Sequence, residues 1–258
     1  MGWSEFIYFA IAALSMWIAG TILLYLKDRT LAGDILIVSG LATFSLFIIL
    51  LWIKLGHPPL RTMGETRLWY SLFLVLVGYA AYKRWGYKWL MAYSVIVSGV
   101  FVLINILKPG IHNTALMPAL RSVWFVPHVT VYILSYAMMG AATISSLATI
   151  CKRESVERNP LIELTDNLVN IGLGFLLLGM LMGAIWAKAA WGDYWSWDPK
   201  EVWAFITASA YILYIHSRHS GTGERWNQWI IPVAFILLMI TWLGVSYLPA
   251  AQGSIHTY

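Results

Sequence analysis

One cysteine, Cys151, is all the thiol chemistry that the 258 residues offer. A disulfide framework needs pairs, and a dithiol redox centre needs two closely spaced cysteines, so both are excluded. Cys151 falls at the end of an apolar run, and the expectation there is an inert core thiol. Charge is also scarce: Asp, Glu, Lys and Arg make up 11% of the chain against a hydrophobic share of 60%. That is too little to solvate the surface of an ordinary soluble domain. No glycine-rich nucleotide motif and no tandem repeat is present. The formal charge of +5 does not collect into a basic face interleaved with base-stacking aromatics, so nucleic acid is not expected as a partner. Residues 1 to 5 carry no positive charge ahead of the first apolar run, which points to a retained span instead of a cleaved signal peptide.

What the chain has in plenty is long apolar runs, with a mean hydropathy of +0.70. The runs are of helix-spanning length and do not alternate like barrel strands, and a bilayer accepts only segments that satisfy their own backbone. The expected fold is therefore all-α: a polytopic integral membrane protein, one membrane domain over residues 1–258 with about eight transmembrane helices. They fall near 6–26, 34–53, 68–82, 88–107, 126–150, 168–188, 201–217 and 228–248. The third and seventh are short. Four connections, Lys27 to Arg29, Lys83 to Lys88, Cys151 to Arg158 and Arg218 to Arg225, hold ten of the 17 basic residues. Short basic loops stay on the cytoplasmic side, which puts both termini and the longer loops on the outer face.

One of those outer loops, residues 189–200, runs into the segment WGDYWSWDPKE at 191–201. Three tryptophans, a tyrosine and alternating charges suit a large planar ligand with anionic groups, because rings stack on the plane while cations hold the acids. The competing reading is an aromatic belt that anchors helix ends at headgroup level. The order of the residues resembles the WWD signature of the heme-handling proteins of cytochrome c maturation, most closely the CcsA (ResC) type. Trp191, Gly192, Tyr194, Trp195, Trp197, Asp198, Pro199, Lys200 and Glu201 fill that pattern. The stretches VPHVTVYILSYA around His128, YILYIHSR around His216, GSIHTY around His256 and GHPPLRTMGETRLWYSLFL at 56–74 also resemble family segments, in family order.

Histidine placement extends this reading. Histidines in or beside the membrane are functional candidates, and neutral imidazole is a common axial ligand of heme iron. His128 opens the fifth expected span and His256 follows the eighth, at the level of the tryptophan segment. Two interfacial histidines of no shared purpose is the competing reading; the resemblance favours a pair of axial ligands. Trp191, Tyr194, Trp195 and Trp197 would then lie against the porphyrin, with Lys188, Lys200 or Arg121 neutralising its propionates. Asp198 is assigned to ordering the loop, and Glu201 to the start of span seven. His216 lies fifteen residues past Glu201, roughly 22 Å along a helix, beyond the reach of the same porphyrin. The resemblance implies that His216 is a second, transmembrane heme ligand near the inner side, whose partner histidine comes from a ResB-type polypeptide. His57, His112 and His219 read as surface residues.

The resemblance thus implies a subunit of a membrane cytochrome c synthase. It would carry heme b across the bilayer and position it for thioether attachment to the CxxCH cysteines of an apocytochrome c. The implied partners are the ResB-type membrane protein, the apocytochrome c and heme, in a bacterial inner membrane or a thylakoid. No residue is assigned as an acid–base catalyst. Two other readings stay open: a heme-delivery protein of the CcmC type, and a non-enzymatic membrane subunit whose aromatics only pack.

Overall fold

Helix signals and apolar length together explain where each element begins and ends. The structure, a computed structural model, describes residues 2–26, 30–108, 122–152, 155–221 and 224–249. Eight α-helices are present among them: α1 (Phe6–Tyr25), α2 (Thr30–Leu55), α3 (Met63–Trp85), α4 (Lys88–Leu107), α5 (Phe125–Cys151), α6 (Ser155–Trp191), α7 (Pro199–His219) and α8 (Glu224–Met239). No strand occurs among the described residues. Lys27 to Arg29, His112, Arg121 and His256 lie outside them.

Six helical segments among the described residues are long and apolar enough to cross a membrane: those of α1, α2, α4, α5 and α6, and Trp226–Tyr247, which joins α8 to the turns after it; α3 and α7 are not among them. The chain is an all-helical, polytopic membrane protein. The two exceptions carry polar ends: α3 starts with Glu65 and Arg67 and finishes with Lys83 and Arg84, and α7 starts with Lys200 and Glu201 and finishes with His216, Arg218 and His219.

Residues 1–116 form one compact unit. In it α1 packs on α2 and α4, and α3 packs on α4. An aromatic core of Phe6, Trp17, Phe44 and Phe47 fills the α1–α2 seam. The α3–α4 seam is narrow, with Ser98 Oγ donating to Ser71 O at 3.0 Å. Small residues let two apolar helices approach closely where lipid offers no hydrophobic drive to pair them. The start of α3 is fixed by a capping box in which Thr62 Oγ1 accepts from Glu65 N at 3.1 Å and Glu65 accepts from Thr62 N at 3.0 Å.

Residues 117–258 form the second unit, with α5 packed on α6 and α8, and α7 on α6 and α8. Hydroxyls join these helices: Ser135 Oγ donates to Gly172 O at 2.7 Å, Ser145 Oγ to Leu161 O at 3.0 Å, and Ser146 Oγ to Gln228 O at 2.5 Å. After α8 the chain widens into a π-helical turn, Ile240–Gly244, and then tightens into a 3-10 turn, Val245–Tyr247. Thr241 in the π turn bonds Thr207 of α7 at 3.1 Å.

Two expectations change. The sixth helix begins at Ser155, well before residue 168, because Leu161, Ile162, Leu164 and Thr165 are buried and Thr165 Oγ1 bonds Ser145 of α5 at 2.9 Å. Packing against α5 extends the helix through a stretch whose charges suggest a loop. Cys151 is exposed, not a core thiol; as the last residue of α5 it lies past the buried Thr149.

Candidate functional site

His128 sits in the first turn of α5, where the helix crosses close to α6. Gly183 permits that approach: a Cβ there would stand 2.6 Å from His128 Cε1 and 2.8 Å from Nδ1. His128 Nδ1 lies 2.8 Å from the carbonyl oxygen of Gly179. A carbonyl can only accept, so Nδ1 carries the hydrogen, and in the neutral form of the ring the lone pair is then on Nε2. That tautomer is the one a metal-binding imidazole adopts when a backbone carbonyl orients it.

The ring is also held by aromatics. Tyr132 meets it edge-on at 4.6 Å, and Trp186 stacks on it with centroids 5.5 Å apart and planes 23° apart. Trp186 then meets Trp191 at 4.7 Å, near perpendicular. His128 is thereby joined, through one buried indole, to the first residue of the tryptophan segment. Sequence reasoning missed Trp186, Tyr132, Gly179 and Gly183. The Gly179-xxx-Gly183 spacing is the signal that could have marked a close helix approach here.

The segment between α6 and α7 is built from opposing anchors. Gly192 ends α6 at φ +98°, with its N–H donating to Lys188 O at 3.1 Å. Lys188 Nζ donates in turn to Gly192 O and lies 5.4 Å from the Tyr194 ring. At the far side Asp198 is the N-cap of α7: its Oδ1 accepts from Lys200 N at 3.0 Å. Glu201 Oε2 accepts from Asp198 N at 3.1 Å and from Ser196 N at 2.9 Å. Pro199 at the first helical position suits this start, having no N–H that a first turn could use.

Trp197 lies between these caps at φ +60°, the left-handed region that disfavours any residue with a Cβ. Hydrogen bonds on both flanking residues hold it there. The outcome is presentation: Trp197 is 67% and Tyr194 59% exposed, whereas Asp198 is 7% exposed. Trp197 meets Trp195 at 5.8 Å and Phe205 of α7 at 6.5 Å, both edge-to-face. Trp195 Nε1 is buried with no hydrogen-bond partner among the described residues. Lys200 lies one residue ahead of the span expected at 201–217; burial pulls its ammonium down to about 8, against Asp198, which acts to raise it.

His216 is exposed near the other end of α7. Because α7 runs unbroken from Pro199 to His219, the separation of roughly 22 Å from the tryptophan segment stands. Two loci result: His128 with the tryptophan segment at one end of α7, and His216 at the other. Among the described residues no cluster of three or more His, Cys, Asp or Glu could hold a bare metal ion.

The cytochrome c assembly protein family model matches residues 6–251. A protein named cytochrome c biogenesis protein CcsA from Chlamydomonas reinhardtii is 33% identical over 242 residues, covering 86% of this chain and 67% of its own. The CcsA of Chlorella vulgaris is 33% identical over 266 residues, covering 85% and 83%. That of Ranunculus macranthus is 27% identical over 281 residues, covering 91% and 86%.

Proposed function

Because this chain belongs to the cytochrome c assembly family and serves in cytochrome c biogenesis, we propose that it is the heme-carrying subunit of a membrane cytochrome c synthase. The observation that carries this is His128: its tautomer is set by Gly179 O and its ring is stacked on Trp186, which touches Trp191. Heme b is the substrate held there. His128 and His256 are its axial ligands, and Trp191, Tyr194, Trp195 and Trp197 form the aromatic surface against it. Lys200 and the indole N–H of Trp195 supply donors suited to propionate oxygens. His216 ligates heme at the other depth, with a second histidine from a ResB-type partner. The loop at 192–198 and both termini lie on the outer side of a bacterial inner or thylakoid membrane.

The attachment step asks little acid–base chemistry of this chain. A cysteine S–H of the apocytochrome CxxCH motif adds across a heme vinyl group: an S–C bond forms, the vinyl double bond becomes single, and the thiol proton ends on the neighbouring carbon. No net oxidation occurs. The protein contributes orientation, which can lower such a barrier by several kcal/mol, and imidazole ligation, which tunes the iron.

The test is an absorption spectrum of the purified full chain, co-expressed with a ResB-type partner and an apocytochrome c. A low-spin heme spectrum weakened by His128→Ala or His256→Ala, and covalent cytochrome made only by the parent, are expected. Heme binding without thioether product would mark a delivery protein instead. Heme indifferent to His128, His256 and His216 would leave the tryptophans as interfacial anchors.

A further inference from the structure

Near the end of α7 remote from the tryptophan segment, side chains of α6 and α8 hold the helix. Tyr214 and Arg218 stand two residues before and two after His216, and both reach Asp166 of α6. Tyr214 Oη donates to Asp166 Oδ1 at 2.5 Å. Arg218 donates from Nε to Oδ1 at 3.2 Å and from Nη2 to Oδ2 at 2.8 Å. From α8, Gln228 Nε2 donates to Tyr214 Oη at 3.4 Å and Asn227 Nδ2 to Ser217 O at 3.4 Å. Ser146 of α5 holds Gln228 through its backbone oxygen.

Residues 214 and 218 are one helical turn apart and share a face, while residue 216 is turned about 200° from 214. Whatever fixes the first pair therefore fixes the heading of the third. Tyr214 is buried and His216 exposed, as that geometry demands. Apolar side chains would pack α6 against α7 at least as well, since a partly buried ion pair is a weak source of stability. What the bidentate carboxylate–guanidinium contact adds is a defined rotation.

We propose that Asp166 is a positioning residue: through Tyr214 and Arg218 it locks the rotation of α7 about its axis, so that the His216 imidazole is presented away from α6 to ligate heme iron. This rests on the reading of His216 as a heme ligand. Asp166 touches no heme; it acts through its two partners.

The experiment uses the full chain co-expressed with its ResB-type partner and carrying His128→Ala, so that the remaining heme reports on the His216 site. Low-spin heme per protein, reduction potential, membrane yield and thermal midpoint are measured. Asp166→Ala is expected to lower heme content roughly tenfold, the scale seen for lost orienting partners, and to shift the potential. Asp166→Glu should restore most of it, and Tyr214→Phe should lie between. Folded Asp166→Ala and Tyr214→Phe chains that keep the parent heme content and potential overturn the proposal, provided His216→Ala loses that heme. Heme indifferent to His216→Ala overturns the ligand reading and the positioning role together. If Asp166→Ala is not made, Tyr214→Phe decides: unchanged heme and potential overturn the proposal.

Discussion

At the scale of single residues, the candidate site depends on small side chains as much as on large ones. Gly183 has no catalytic atom, yet a methyl group at that position would occupy the space of the His128 ring. Gly183→Ala is expected to push His128 off Gly179 O and lower heme retention roughly tenfold, as loss of an orienting hydrogen bond does. The cost in stability should be about 1–3 kcal/mol, the range for overpacking a close seam. A hemin titration beside a thermal melt checks both, and a variant that binds heme like the parent would mean that the imidazole position is not what matters. His128 stands out before any folding is considered because it opens an apolar run. Trp186 does not, since one more tryptophan in a helix of leucines carries no mark of which ring it will stack on.

At the scale of elements, the tryptophan loop is a strained segment between two capped helix ends. Glu201 accepts from both residues flanking Trp197, so its carboxylate is what keeps that backbone left-handed. Glu201→Ala removes those bonds and should cost about 1–3 kcal/mol, the usual penalty for stranded donors. Trp197 is then expected to relax to negative φ and lose its fixed exposure. A changed tryptophan emission with weakened heme binding, α7 remaining helical by circular dichroism, is the expected result; unchanged emission and binding would show the loop to be held by something else. The capping pattern was readable, because Asp198, Pro199 and Glu201 are a helix start in any context. The length of α6 was not readable. Residues 155–167 look like a charged connection until the buried face at Leu161, Leu164 and Thr165 is set against α5.

At the scale of the whole molecule, the lone cysteine is a built-in topology probe. Cys151 is exposed at one end of α5, and α6, of spanning length, separates it from the loop at 192–198. A membrane-impermeant maleimide should label Cys151 in permeabilised cells only, while a cysteine introduced as Ser196→Cys in a Cys151→Ser chain should react in intact cells. The reverse pattern would invert the orientation inferred from the basic loops. Labelling of both from one side would mean that α6 does not cross.

Composition and local order by themselves determined that this is a helical membrane protein and which family its tryptophan segment resembles, because spanning length, caps and motif order are properties of neighbours in sequence. The tertiary structure alone decided which ring stacks on His128, which carbonyl sets its tautomer, why α6 starts early, and that Tyr214 and Arg218 meet on Asp166 with His216 on the opposite face. Those contacts join residues some 50 positions apart, and only the packing of helix on helix brings such side chains within hydrogen-bonding distance.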